Sequence, residues 1–316
     1  MKTKQDSFFS SGLGLAFLAG IGLMVANISP TIVTAYVQNP IFSTRDAGNI
    51  ISINMLGNAL GALITSFYLQ RFNWFRATVF LLSILIVLDL FSISVTHPFL
   101  LFLVRFIYGM TAGALMGIAY AAIAQTSGPE RIQALSYTMQ LLSGGILIQL
   151  ITPQIESAGV IVVWLPLVVF SVIGLLLSPL LRKRTLAKES FVATKNQSRA
   201  NNLIIGLGLA SLFAFQMGQF AAFAYVIELG TNHNFNIGFT GTSVAMGLWI
   251  GGPAALFVTW WSLRSGRALP IILASSVQIV SIGLLTVPNS TYFLIGNVTW
   301  GIAFNIGISY ILGLIS

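Results

Sequence analysis

Ten apolar runs follow one another along the 316-residue chain, most of them separated by only a few polar residues. A helix needs about 20 apolar residues to cross the hydrocarbon layer of a bilayer. Inside lipid each backbone N–H and C=O must be satisfied within its own segment, so a chain of this pattern folds as spanning helices. The runs lie at 12–36, 47–69, 75–96, 98–124, 132–154, 159–181, 203–228, 238–261, 268–288 and 291–315. Charged residues make up 7% of the chain, against about 25% in a soluble domain. The fold class is therefore an all-α polytopic membrane protein with about ten transmembrane helices, in contact with the lipid bilayer. The first run is too long for a signal-peptide core and ends at no small-residue cleavage site.

The net charge of +8 would suggest a nucleic-acid partner in a soluble protein. Here the cations sit in short loops, so no nucleic-acid partner is expected, and they report topology instead. With the N-terminus in the cytoplasm, every Lys and Arg except Arg45 and Arg105 falls on the inner side. Trp74, Trp260 and Trp261 are then expected at the inner interface and Trp164 at the outer one, as an aromatic belt. Cysteine is absent, which excludes disulfides and thiolate metal sites. His97 and His233 are the only histidines, neither has metal-ligand spacing, and no catalytic motif is present. The chain is expected to be no enzyme and to hold no metal or organic cofactor.

The stretch Leu103 to Gly117 combines one charge, Arg105, with Gly109, Gly113 and Gly117 at four-residue spacing. A charge at the bilayer centre costs about 2.5–3.5 kcal/mol on insertion scales, and glycines four apart let a second helix approach closely. Asp89 lies as far before His97 as Arg105 lies after it. At about 1.5 Å per residue both sit about 12 Å from the same turn, in antiparallel neighbours. An ion pair is permitted at equal depth, and pairing is how intramembrane charges are tolerated. Left alone, Arg105 would instead face helix ends or a polar cavity. Pro30 in the first run marks a bend.

An internal repeat is also visible. Gly12-Leu-Gly-Leu-Ala16 recurs as Gly206-Leu-Gly-Leu-Ala210. The same offset lays Gly57 on Gly251, and a shift of two residues lays Arg105-Phe-Ile-Tyr-Gly109 over Asn297-Val-Thr-Trp-Gly301. The implied organisation is a six-helix bundle at 1–181, a basic cytoplasmic linker at 182–202 and a four-helix bundle at 203–316. Parallel repeats of this kind are a transporter architecture with its site at the repeat interface.

Six spans, a basic linker, Arg105-x-x-x-Gly109 early in the fourth span and Glu130-Arg131 before the fifth resemble the major facilitator superfamily. The segments Gln70-Arg71-Phe72-Asn73-Trp74-Phe75-Arg76 and Arg264-Ser265-Gly266-Arg267 resemble the family's loop motif without its acid. The resemblance implies a two-bundle fold with two further helices, as if the chain were a fragment or a truncated frame. It implies a cytoplasmic gate at Arg71, Arg76, Arg264 and Arg267. It also implies a central cavity lined by Asn27, Thr31, Arg105, Gln216, Gln219, Asn297 and Asn305, with Tyr108, Trp249 and Trp300 as aromatic walls. Asp89 and Arg105 are the candidate coupling pair, with the proton as candidate coupling ion. Thr31-Ile32-Val33 follows Ser29 where drug–proton antiporters of the family carry an acid. One cation in a neutral, aromatic cavity favours an apolar or anionic small organic solute. The implied function is secondary active transport by a rocker-switch, uptake or efflux, by a monomer in a bacterial inner membrane. A complete ten-helix drug/metabolite exporter and a non-transport membrane protein are the alternatives.

Overall fold

The computed structural model describes residues 2–71, 73–126, 129–181, 202–261, 266 and 268–315. The basic linker up to position 201, Arg264 and Arg267 lie outside the described residues, as do the side chains of Glu130, Trp260 and Trp261. The chain divides into two compact units, Met1–Ala187 and Lys188–Ser316.

The first unit opens with α1 (Lys2–Ile21), α2 (Met24–Asn27) and α3 (Ser29–Val37). It continues with α4 (Thr44–Tyr68), α5 (Trp74–Ser94), α6 (Pro98–Ala124) and α7 (Pro129–Ile151). A 3-10 turn, Thr152–Gln154, leads into α8 (Ile155–Ala158) and then α9 (Ile161–Leu177). The second unit holds α10 (Asn202–Ala224), α11 (Val226–Asn232), α12 (Ile237–Trp261), α13 (Ala268–Leu285) and α14 (Ser290–Ile315). Among the described residues seven helices are long and apolar enough to cross a membrane. The count is eight if α10 and α11, bent by 42°, form one span.

Local chemistry explains the helix ends. Ser43 and Asp46 form a capping box at α4: Asp46 N–H donates to Ser43 Oγ at 3.1 Å, and Ser43 N–H to Asp46 Oδ2 at 3.0 Å. Asn73 Oδ1 accepts from Arg76 N–H at the start of α5, and Pro98 opens α6, where no helical N–H is needed. The bend expected at Pro30 falls at Ile28, whose backbone leaves the helix at φ −105°, ψ 14°. A second break, between α1 and α2, was not legible in the sequence. There Leu23 N–H donates to Gly20 O at 3.2 Å, and Asn58 Nδ2 reaches across from α4 to Gly22 O at 2.7 Å.

The tightest packing is between α4 and α6. A Cβ placed on Gly109 would lie 2.1 Å from Asn54 O, and one on Gly61 would lie 2.0 Å from Met110 O. The two backbones therefore touch directly, which only glycine permits. Asn54 Nδ2 crosses the same seam to donate to Arg105 O at 3.1 Å. The second unit repeats the device between α12 and α14, where a Cβ on Gly301 would lie 2.1 Å from Gly247 O. Gly57 and Gly251, aligned by the repeat, both sit in these seams, each against the helix that carries Gly109 or Gly301.

Trp164 and Trp74, expected in an interfacial belt, are instead buried, with 0% and 1% exposure. Trp74 Nε1–H donates to Leu69 O at 2.9 Å and so closes the turn before α5. Trp164 packs against the cation described next.

Candidate functional site

Asp89 on α5 and Arg105 on α6 meet inside the first unit, where both side chains are 0% exposed. Arg105 Nη1 donates to Asp89 Oδ1 at 3.1 Å, and Nη2 donates to Leu88 O at 3.0 Å and to the Ser92 hydroxyl. The guanidinium lies between two rings, 3.9 Å from the Trp164 centroid and 4.5 Å from that of Tyr108. A desolvated cation over aromatic faces gains about 2 kcal/mol or more. Trp164 Nε1–H in turn donates to the Tyr36 hydroxyl at 2.9 Å, and Tyr36 meets Phe42 edge-on at 4.8 Å. The cluster thereby ties α3, α5, α6 and α9 together. Two atoms within it lack hydrogen-bond partners, Asp89 Oδ2 and Arg105 Nε.

This geometry corrects the expectation that Arg105 lines a cavity. Its charge is matched by Asp89 and the Trp164 and Tyr108 rings lie against it, so the guanidinium is enclosed within the first unit. Tyr108, expected as a cavity wall, is 1% exposed and packs behind the guanidinium. The anionic preference that rested on a free cation falls with them.

Around the breaks in the first span the polar side chains separate into two groups. Thr31 is fully buried, and its hydroxyl pairs with that of Thr152 at 3.3 Å. Asn27 Nδ2, Ser29 Oγ and Thr34 Oγ1, together with Gln149 Oε1 on α7, are buried without a partner.

In the second unit Gln219 on α10 is the centre of a network. Its Oε1 accepts from Trp300 Nε1–H on α14 at 2.6 Å and from Gln278 Nε2 on α13 at 3.2 Å. Phe223 meets Trp300 edge-on at 6.1 Å, and Phe215 stacks on Phe304 at 5.8 Å. Gln216 lies one turn from Gln219 on the same face, and its Oε1 is buried without a partner. Asn297 and Asn305 each donate back to their own helix, to Phe293 O at 2.9 Å and Gly301 O at 2.8 Å. Trp249 on α12 is partly buried. Gln278, Asn54 and Asn58 were missed in the sequence. The i, i+4 spacing of Asn54 and Asn58 beside Gly57 and Gly61 was the available signal for the last two.

Arg71 and Arg76 are exposed, and Arg71 lies over the Tyr68 ring at 5.5 Å. Neither forms an ion pair among the described residues. No three His, Asp or Glu residues come together there to hold a metal ion.

Apolar helices of this number and length make the chain a multi-pass integral membrane protein. The model of the Major Facilitator Superfamily matches residues 12–316, and the chain belongs to that superfamily of membrane transporters. The match sets aside the ten-helix drug/metabolite exporter. Two crystal structures of the nucleoside transporter NupG, one of them of a point mutant, share the fold. Their TM-scores are 0.70 and 0.64, each at 14% identity, covering 94% of this chain and 80% of that one. At that identity the likeness is one of fold. No curated protein matches the chain by sequence.

Proposed function

We propose that this transporter moves a small organic solute by alternating access, as a secondary active carrier without a catalytic step. The observation that carries the reading is that each unit begins with a discontinuous helix beside buried polar atoms that have no partner. In the first unit these are Asn27 Nδ2 and Ser29 Oγ at the α2–α3 break; in the second it is Gln216 Oε1 on α10, before the bend at Tyr225. Broken helices at corresponding places in two repeats mark the binding region of many carriers. An unpaired buried polar group costs about 1–3 kcal/mol, and a bound solute can offset that cost. The NupG structures, of a nucleoside transporter, are in keeping with a solute of this size. The charge distribution supports a cytoplasmic N-terminus; we take the membrane to be a bacterial inner membrane and the working unit to be the monomer. Asp89, among the described residues the one acid far from the helix ends, is paired with Arg105, so a coupling proton there would have to displace that pair.

The test is counterflow in proteoliposomes, using radiolabelled nucleosides, sugars and amino acids in turn. At least one solute is expected to accumulate above protein-free vesicles, and Asn27→Ala and Gln216→Ala are expected to reduce that accumulation. Absence of counterflow across the panel, with folded protein in the vesicles, would remove the carrier assignment.

A further inference from the structure

Resting on that reading, we infer that the solute is uncharged and presents a hydrogen-bond acceptor beside a donor, as on a lactam or imide edge. The charge argument comes first. Helices α10, α12, α13 and α14 contain no Asp, Glu, Lys or Arg anywhere in their length. In the first unit the two charges far from helix ends, Asp89 and Arg105, neutralise each other inside the bundle. An anionic solute would therefore meet no counter-charge in α10–α14, and a cationic one would meet only Glu228 on α11, within a turn of the end of the α10–α11 span; leaving water unpaired is costly for an ion.

The hydrogen-bond argument follows from Trp300. An indole N–H can only donate, so the Gln219 atom 2.6 Å from Trp300 Nε1 is the amide oxygen. Gln278 donates to that same oxygen, which fixes the amide about its own axis. Gln219 Nε2, on the same carbon, therefore points away from both with its two N–H groups. One turn away, Gln216 holds an unpartnered buried Oε1. One face of α10 thus carries a held amide donor and, three residues earlier, an unsatisfied acceptor. The complement is a solute edge with a carbonyl to accept from Gln219 and an N–H to donate to Gln216. Sites built to pair such an edge discriminate strongly, because a solute lacking it leaves their polar groups unpaired.

The experiment uses the full chain in detergent and three probes that share one imide edge. Uridine is neutral, uridine 5′-monophosphate is anionic and 5′-amino-5′-deoxyuridine is cationic. Binding is read by thermal stabilisation and by isothermal titration. Uridine is expected to bind, and both charged analogues to bind about tenfold more weakly or worse. Gln219→Glu keeps an oxygen for Trp300 but replaces the donor with a charged acceptor. It is expected to leave the melting temperature of the unliganded protein near that of the parent, to abolish uridine binding and to improve binding of the cationic analogue relative to uridine. Tighter binding of either charged analogue to the parent protein would overturn the inference. So would failure of all three probes to bind, or unchanged uridine binding by Gln219→Glu. If uridine fails while another solute gives counterflow, the carrier assignment stands and the imide edge is wrong.

Discussion

Replacing Asp89 by asparagine removes a charge and almost no volume. The new amide would still present an oxygen to Arg105 Nη1, so the 3.1 Å contact survives as a hydrogen bond to a neutral acceptor. Leu88 O and the Ser92 hydroxyl also remain. What disappears is the only anion facing the guanidinium among the described residues, and both side chains are 0% exposed. Removing one partner from a buried ion pair leaves an uncompensated charge and costs about 3–5 kcal/mol. The two ring contacts recover part of that, so the lower half of the range, about 3–4 kcal/mol, is expected. Replacing both partners by apolar residues, Asp89→Leu with Arg105→Met, should come within about 1–2 kcal/mol of the parent protein, because the desolvation cost vanishes with the charges. The assay is unfolding by SDS in dodecylmaltoside micelles, followed by circular dichroism. An Asp89→Asn protein within about 1 kcal/mol of the parent, or a double variant no more stable than Asp89→Asn, would refute the view that Asp89 neutralises Arg105.

Gly109→Ala puts a methyl against the backbone of α4 and should cost about 1–3 kcal/mol in the same titration. Gly218→Ala, where a Cβ meets nothing within 4 Å, should change stability by less than about 1 kcal/mol. Asn58→Ala strips the cap from Gly22 O at the first break and should cost about 1–3 kcal/mol; an unchanged unfolding midpoint would show that another group satisfies that carbonyl. Tyr36→Phe leaves the Trp164 indole N–H without its acceptor. It should cost about 1–3 kcal/mol, with a shift in tryptophan emission that Asn58→Ala does not produce.

The helices were readable because lipid leaves the backbone no alternative, and α6 runs over 98–124 as the hydropathy placed it. The Asp89–Arg105 contact was permitted by counting depth along two antiparallel helices. The direction of Arg105 was not, because Trp164, 59 positions away, supplies the ring that draws it inward. For the same reason the Trp164 indole is enclosed by helices and not open to the bundle's outer surface. The break at Gly22 is stabilised by Asn58 from another helix, a contact that no local propensity encodes. In the second unit Gln216 and Gln219 were found by their shared helical face. That one of them is locked and the other free depends on Trp300 and Gln278, which come from two further helices.

The glycine seams have a mechanical consequence. Where backbone lies on backbone, as between α4 and α6, there is no layer of pliable side chains to act as a bearing, so the pair resists sliding and bends as one beam. The departures from regular helix geometry in this unit fall instead at Leu23 and Ile28, at the ends of α2. In the second unit, where α12 and α14 form the stiff pair, the compliant joint is Tyr225. In each unit the interruption of the helix thus lies in its first span, beside the unpartnered polar atoms.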